Sequence, residues 1–224
     1  MEVINTVMTL NQCYCNDENT IEIGIDEAGR GPLFGRVYSA AVILPKDNFD
    51  FSQMKDSKKF HSKKKINKVA QYIKDNAISW SVSYEDEKTI DRINILKATQ
   101  WSMHKNLNNI FDKNFTVDSK YLLLVDGNYF IPYTRIVEDD IKKINHICIE
   151  SGDNLYASIA AASILAKVER DKYIDELCNL NPELKERYSI HTNKGYGAQK
   201  HIEGIKEHGI SEWHRKTFGI CKNY

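Results

Sequence analysis

A chain of 224 residues with 31 Asp+Glu against 31 Lys+Arg has a formal net charge of +0, so charge alone points to no class of partner. Its 42% hydrophobic content, with only 11 Gly and 4 Pro, excludes a disordered, collagen-like or low-complexity chain, and the length suits one domain with a sizeable core. No apolar run reaches the roughly 18 residues a spanning helix needs, and residues 1–20 hold no basic stretch followed by an apolar block; both exclude membrane insertion and secretion. Five Cys, at 13, 15, 148, 178 and 221, form no CxxC pair and read as reduced thiols in a cytoplasmic protein.

Residues 1–18 are polar and weakly patterned, a loosely held lead-in to a single domain over 19–224. Residues 20–25 alternate apolar and polar, a strand stopping at Asp26, and 37–44 form a β-branched apolar run closed by Pro45, a second strand. Between Lys55 and Lys68 lie seven Lys against the single Asp56, a solvated face or half of a polyphosphate-binding surface. Over 61–76, Ile66, Val69, Ala70 and Ile73 share one helical face. Residues 78–84 alternate again as a third strand, and 89–111 read as one long helix. The acidic clusters Glu85-Asp86-Glu87 and Glu138-Asp139-Asp140 fit solvated positions. Residues 121–125 are a short apolar strand ending at Asp126-Gly127, and 144–149 a fifth strand broken by Ser151-Gly152. From 154 to 180 the chain is helix-like, with an Ala- and Ser-rich start suited to close packing on a sheet. Shorter helices at 182–188 and 198–207 complete a small helical C-terminal part over about 182–224. The fold class is α/β with a mixed sheet.

Four carboxylates stand out by position. Asp26 and Glu27 sit where the first strand ends, Asp126 ends the apolar strand, and Asp153 opens the long helix. Strand ends on one edge of an α/β sheet are where such folds place their sites. If these edges coincide, the carboxylates repel one another unless cations neutralise them, and an all-oxygen set suits Mg²⁺ or Mn²⁺. Singly, each also reads as a strand-end or helix cap. Gly24-x4-Gly29-Arg30-Gly31 lacks the Lys-Ser/Thr of a nucleotide-triphosphate loop, but its glycines admit close backbone approach and Arg30 offers a fork of donors to a phosphodiester.

The stretch Gly24-Ile-Asp-Glu-Ala-Gly-Arg-Gly-Pro-Leu-Phe-Gly35, followed by Ala40-Ala-Val-Ile-Leu44, resembles the opening motif of the ribonuclease HII (type 2 ribonuclease H) family. Asp56-Ser-Lys-Lys-Phe60, Ile90-Asp-Arg-Ile-Asn-Ile-Leu96, Val125-Asp-Gly-Asn128, Gly152-Asp153, Ser158 to Val168 with Arg170-Asp171, Lys194-Gly-Tyr-Gly197 and His214-Arg215 match further family motifs in order, over about 20–218. Two departures occur: Arg36 stands where the family usually has Pro, and Ala198 where it usually has Thr. The resemblance implies a ribonuclease H-like mixed sheet flanked by helices. It implies hydrolysis of the RNA strand of RNA/DNA hybrids and cutting on the 5′ side of single ribonucleotides in duplex DNA, leaving a 3′-hydroxyl and a 5′-phosphate. Carried over by motif, Asp26, Glu27, Asp126 and Asp153 hold two cations. Because neighbouring residues of a strand face opposite ways, Glu27 is expected beyond the strand end, in the glycine turn. By the same resemblance the main chain of Gly29-Arg30-Gly31 and the Tyr196 phenol read the RNA-to-DNA junction, and Lys58, Lys59, Lys167, Arg170, Lys194 and Arg215 contact phosphates. A type 3 ribonuclease H and a catalytically silent binding module are the competing readings; four intact carboxylates argue against the second. No sliding-clamp-binding tail follows Phe218, and a monomer is expected.

Overall fold

The computed structural model describes residues 10–15, 17–54, 57, 60 and 62–224. Its centre is β1 (Thr20–Ala28), which pairs antiparallel with β2 (Val37–Ile43); β2 in turn pairs antiparallel with β3 (Ser79–Glu85). On its other side β1 runs parallel to β4 (Lys120–Asp126), and beyond β4 lies the parallel β7 (Asn145–Ile149), giving the order β3-β2-β1-β4-β7. The helices α1 (Lys63–Asn76), α2 (Glu87–Ile93), α3 (Ile95–Asn114) and α4 (Ala157–Leu180) precede the C-terminal α5 (Glu183–Tyr188), α6 (Ile190–Asn193) and α7 (Gln199–His208). This is the expected mixed sheet flanked by helices. No helix among the described residues is long and apolar enough to cross a membrane.

Strand alternation sorts the core into two layers. Ile23, Ile25, Ala41, Leu123 and Val125 meet Met103, Leu107 and Phe111 of α3 on one face. On the other, Ala40 and Val42 meet Ile66 and Ile73 of α1 and the small residues Ala157, Ala160 and Ala161 of α4. Small side chains bring α4 down onto β1 until Gly24 touches its backbone: a Cβ there would lie 2.1 Å from the Ser158 carbonyl carbon.

Several elements depart from the sequence expectation. The single helix over 89–111 is two, because Asn94 adopts φ +69 and caps α3 by accepting the Lys97 amide at 3.0 Å. The acidic run before it is not solvated: Glu85 and Glu87 are buried, and Asp86 caps α2 by accepting the Thr89 amide at 2.8 Å. In β3 the serines face inward, since Ser81 donates to Asn106 of α3, whose amide donates to Ser39, itself bonded to Ser102. The hairpin of β5 (Thr134–Val137) and β6 (Asp140–Lys143) had no counterpart in the sequence reading. Of the lead-in, residues 1–9 lie outside the described residues, and Asn11 is tied to the body by bonds to Leu155 and Ala157.

The C-terminal helices share a cluster of Phe34, Ile174, Cys178, Leu184, Tyr188, Ile190, Ile205 and Cys221. Ala198 starts α7 without a side-chain cap, which a Thr in its place would supply. Within this layer two buried histidines join. The Ser211 amide donates to His214 Nδ1 at 2.9 Å, the two Nε2 atoms lie 3.0 Å apart, and His201 Nδ1 lies 2.8 Å from the Tyr196 carbonyl. The Ser211 amide can only donate and the Tyr196 carbonyl only accept, which puts the protons on His214 Nε2 and His201 Nδ1, with the Ser211 hydroxyl 2.8 Å from His214 Nδ1 as a second partner. A further proton on His214 Nδ1 would face the Ser211 amide and could bond only to the Ser211 hydroxyl. Burial, with His201 adding repulsion, accordingly pushes His214 down to about 3 from its ordinary 6.5, and burial also lowers His201.

Two outcomes are expected. Gly24→Ala should destabilise the fold by about 3 kcal/mol or more, read from urea midpoints, because neither backbone can yield. A histidine whose folded value is depressed stabilises fully above 6.5 and loses that contribution as pH falls toward 3. Between pH 7.5 and pH 5 it should withdraw about 2 kcal/mol, a loss that His214→Gln should lessen. Equal losses in wild type and variant would sink that account.

Candidate active site

β4 ends at Asp126, level with Asp26, while β1 continues to Ala28, so beyond Asp26 the flank of β1 toward β4 has no strand beside it. A cleft of about 260 Å³ opens there, lined by Asp26, Glu27, Asp126, Gly29-Arg30-Gly31, Ser57, Ser163, Lys167, Arg170, Asp171 and Tyr196. Glu27 is a correction: it lies inside β1, paired with Ser39, and not in the turn beyond. It lines the cleft because that flank is open, and its Oε1 lies 3.3 Å from Arg30.

Asp26 is almost fully buried, and its Oδ1 accepts the Glu27 amide at 2.6 Å. Burial first, then repulsion from Glu27 and Asp126, holds its carboxyl well above the ordinary carboxylate range, against the hydrogen bond from Ser163. Asp126 accepts the Gly152 amide at 2.7 Å, which fastens the end of β4 to the turn at Gly152–Asn154. Asp153, on that turn, is buried and hydrogen-bonded by Asn154 at 3.0 Å. Asp26, Glu27 and Asp126 therefore line one cleft, with Asp153 on the turn attached to it. As they stand, no three His, Cys, Asp or Glu side chains among the described residues are gathered closely enough to hold an ion. The donor set nevertheless fits a hard divalent cation: every candidate ligand is a carboxylate, and mutual repulsion at Asp26 is what a cation would relieve.

The cationic side chains sort into different roles. Lys167 lines the cleft and pairs with Asp171 at 2.6 Å, and Lys194 pairs with Asp175 at 2.5 Å. Lys58 and Lys59 lie outside the described residues. Arg215 is a correction: it is wholly buried and cannot reach a phosphate. Its guanidinium donates to the carbonyls of Gly29, Arg30, Pro32 and Gly35 at 2.7–2.9 Å, and burial with the nearby Arg170 lowers its pKa to about 9. Arg170 is buried too, donating to the carbonyls of Phe34, Arg36 and Lys194, and it leaves no room for a Cβ at Gly29, whose φ is +93. Arg215 thus turns the carbonyls of Gly29 and Arg30 inward, while Arg170 packs under Gly29 and holds the neighbouring segments at Phe34, Arg36 and Lys194. Tyr196 is half-exposed, and its ring would lie 3.6 Å from a Cβ on Gly31.

Ser163 and Ser57, hydroxyls 2.9 Å apart, join the cleft without having been singled out. Ser163, Lys167 and Asp171 recur every four residues along α4, a signal readable beforehand as one helical face. Arg36, the departure from the family motif, is held between the Tyr84 and Tyr173 rings at 4.0 and 4.3 Å.

The family profile described as Ribonuclease HII matches residues 23–221. A ribonuclease HII of Parabacteroides distasonis is 44% identical over 200 residues, 89% of this chain and 90% of that protein. Among solved structures, ribonuclease H2 from Pyrococcus horikoshii superposes with a TM-score of 0.66 at 22% identity, over 90% of this chain and 95% of the other. A Mn²⁺ complex of Bst-RNase HIII superposes with a TM-score of 0.59 at 18% identity, over 84% and 70%. With the profile spanning both the glycine loop and the segment that carries Arg215, the chain belongs to the ribonuclease HII family and is a hydrolase of that kind.

Proposed function

We propose that this protein is a divalent-metal-dependent endonuclease that hydrolyses the RNA strand of RNA/DNA hybrids. It also cuts 5′ to single ribonucleotides embedded in duplex DNA, leaving a 3′-hydroxyl and a 5′-phosphate. The observation that carries this reading is the cleft itself, where buried, mutually repelling carboxylates face a glycine loop whose carbonyls are drawn away from the substrate side.

Asp26, Glu27, Asp126 and Asp153 would hold Mg²⁺ or Mn²⁺, the latter being the ion in the RNase HIII complex. What a pair of such cations supplies to a site of this kind is a more acidic water and stabilisation of the leaving oxygen. The chain's own residues do the rest. Arg215 holds the carbonyls of Gly29 and Arg30 and Arg170 packs under Gly29, so that the other main-chain groups of Gly29-Arg30-Gly31 face the ribose, whose 2′-hydroxyl distinguishes RNA from DNA. Tyr196 offers a ring face for stacking beside the junction. Lys167 and Lys194, each balanced by an Asp, stand as phosphate contacts, and the family resemblance adds Lys58 and Lys59, which lie outside the described residues.

Three measurements test the reading. Asp126→Asn should cut single-turnover hydrolysis about a hundredfold or more while hybrid binding persists; near-normal turnover at saturating Mg²⁺ would refute the site. Mg²⁺ or Mn²⁺ at a hundred times its Kd should stabilise the fold by about 2.7 kcal/mol, roughly 5–10 °C in Tm, and Asp126→Asn should blunt the rise. Tyr196→Ala should slow cutting at a single ribonucleotide about tenfold to a hundredfold relative to cutting inside a long hybrid, where no junction exists. An unchanged rate ratio would leave junction reading to the loop alone.

A further inference from the structure

We propose that the buried His201–His214 pair is a positioning relay that presses Tyr196 against the Gly29–Gly31 loop and thereby sets the preference for a single embedded ribonucleotide over a continuous hybrid. The proposal rests on the reading of Tyr196 and the loop given above.

The two halves of the junction reader come from opposite ends of the chain, and three short segments stitch them together. Leu33 donates its amide to Gly195, Gly35 donates to Trp213, and Arg215 donates to Leu33, each at 2.8 Å. The segment 211–215 therefore serves both halves. Arg215 takes the loop carbonyls, while one residue earlier His214 starts the chain of bonds that ends on the Tyr196 carbonyl. Phe34 lies edge-on to His214, with ring centroids 5.1 Å apart, and packs against His201, so rotation of either ring would disturb the loop as well. Tyr188 of α5 encloses the pair from the other side. Tyr196 is half-exposed and flanked by glycines; its amide donates to the Asn193 carbonyl at 3.0 Å, and the Arg170 guanidinium lies 6.0 Å from its ring centroid. Its carbonyl accepts from His201 Nδ1 and from the Ala198 amide, also at 2.8 Å. Of the two carbonyl bonds only the first comes from the buried α7 face, and it joins the Leu33–Gly195 bond and the Arg170 contact in holding the tyrosine to the scaffold. Neither imidazole lines the cleft, so the pair touches no substrate and acts through Tyr196.

The test compares His201→Asn with His201→Leu. The two side chains share the same branching and number of heavy atoms, and both lose the imidazole packing, but only the amide can donate to the Tyr196 carbonyl. Single-turnover rates, normalised to folded protein, are measured on a duplex with one ribonucleotide and on a long hybrid at equal salt. His201→Leu should lower the ratio of the two rates about tenfold, His201→Asn should hold it within about threefold of wild type, and adding His201→Leu to Tyr196→Ala should lower it no further than Tyr196→Ala does alone. His201→Phe, which keeps a ring between Phe34 and Tyr188, should behave as Leu does and supplies the comparison with wild type if the smaller variants do not fold. Rates that fall together on both substrates with an unchanged ratio, or a double variant whose effects add, would overturn the relay. If Tyr196→Ala alone left the ratio unchanged, the underlying reading of the tyrosine would be the one to fail.

Discussion

The contact between Gly24 and the backbone of Ser158 sets the position of everything that follows in the site. With no Cβ between them, α4 lies on β1 and the two run side by side in the same direction. Five residues of helix advance about 7.5 Å and two residues of strand about 6.6 Å, so a helix pinned at Ser158–Gly24 brings Ser163 to Asp26. Seven residues further on, Arg170 meets Gly29 at three residues past Asp26. One close approach therefore places a hydroxyl at the buried carboxylate and a guanidinium under the glycine loop. The small residues at the start of α4 are the means of achieving it, because larger side chains would lift the helix and move both groups together.

The site then depends on charge arranged against its ordinary preference. Carboxylates gather where burial and repulsion disfavour them, while two arginines sit inside the protein and face carbonyls in place of acids. A guanidinium suits this use because its planar fork can satisfy several acceptors at once, as Arg215 does with four. The result is a division of labour between a negative cleft and a positive underside, separated by the glycine loop.

Much of this was legible in the sequence, and what was not has identifiable causes. The strand ending at Asp126 and the Ala-rich helix were readable because apolar runs and small residues are direct consequences of packing. Asp26, Glu27 and Asp126 do share a cleft, although Glu27 reaches it from within β1; strand pairing on the β2 side continues past the point where the β4 side stops, and hydropathy carries no trace of that asymmetry. Asn94 broke a helix that periodicity had joined, since a positive φ at a non-glycine is a tertiary outcome. The turn at Glu138-Asp139, with φ of 50° and 67°, lacks the Asn-Gly signature of such hairpins. Arg215 looked like a surface cation because arginines usually are, and nothing local to it reveals four carbonyls waiting elsewhere in the chain.

Those four carbonyls also have a bearing on how the protein is made. Arg215 bonds to residues 180–186 positions earlier, so the loop it shapes is synthesised long before its holder. While the chain is still being translated, the sheet and its first helices can assemble from nearer neighbours, but the glycine loop has no internal cation to fold around. The loop thus receives its last fastening from the end of the chain, when residues 211–215 dock.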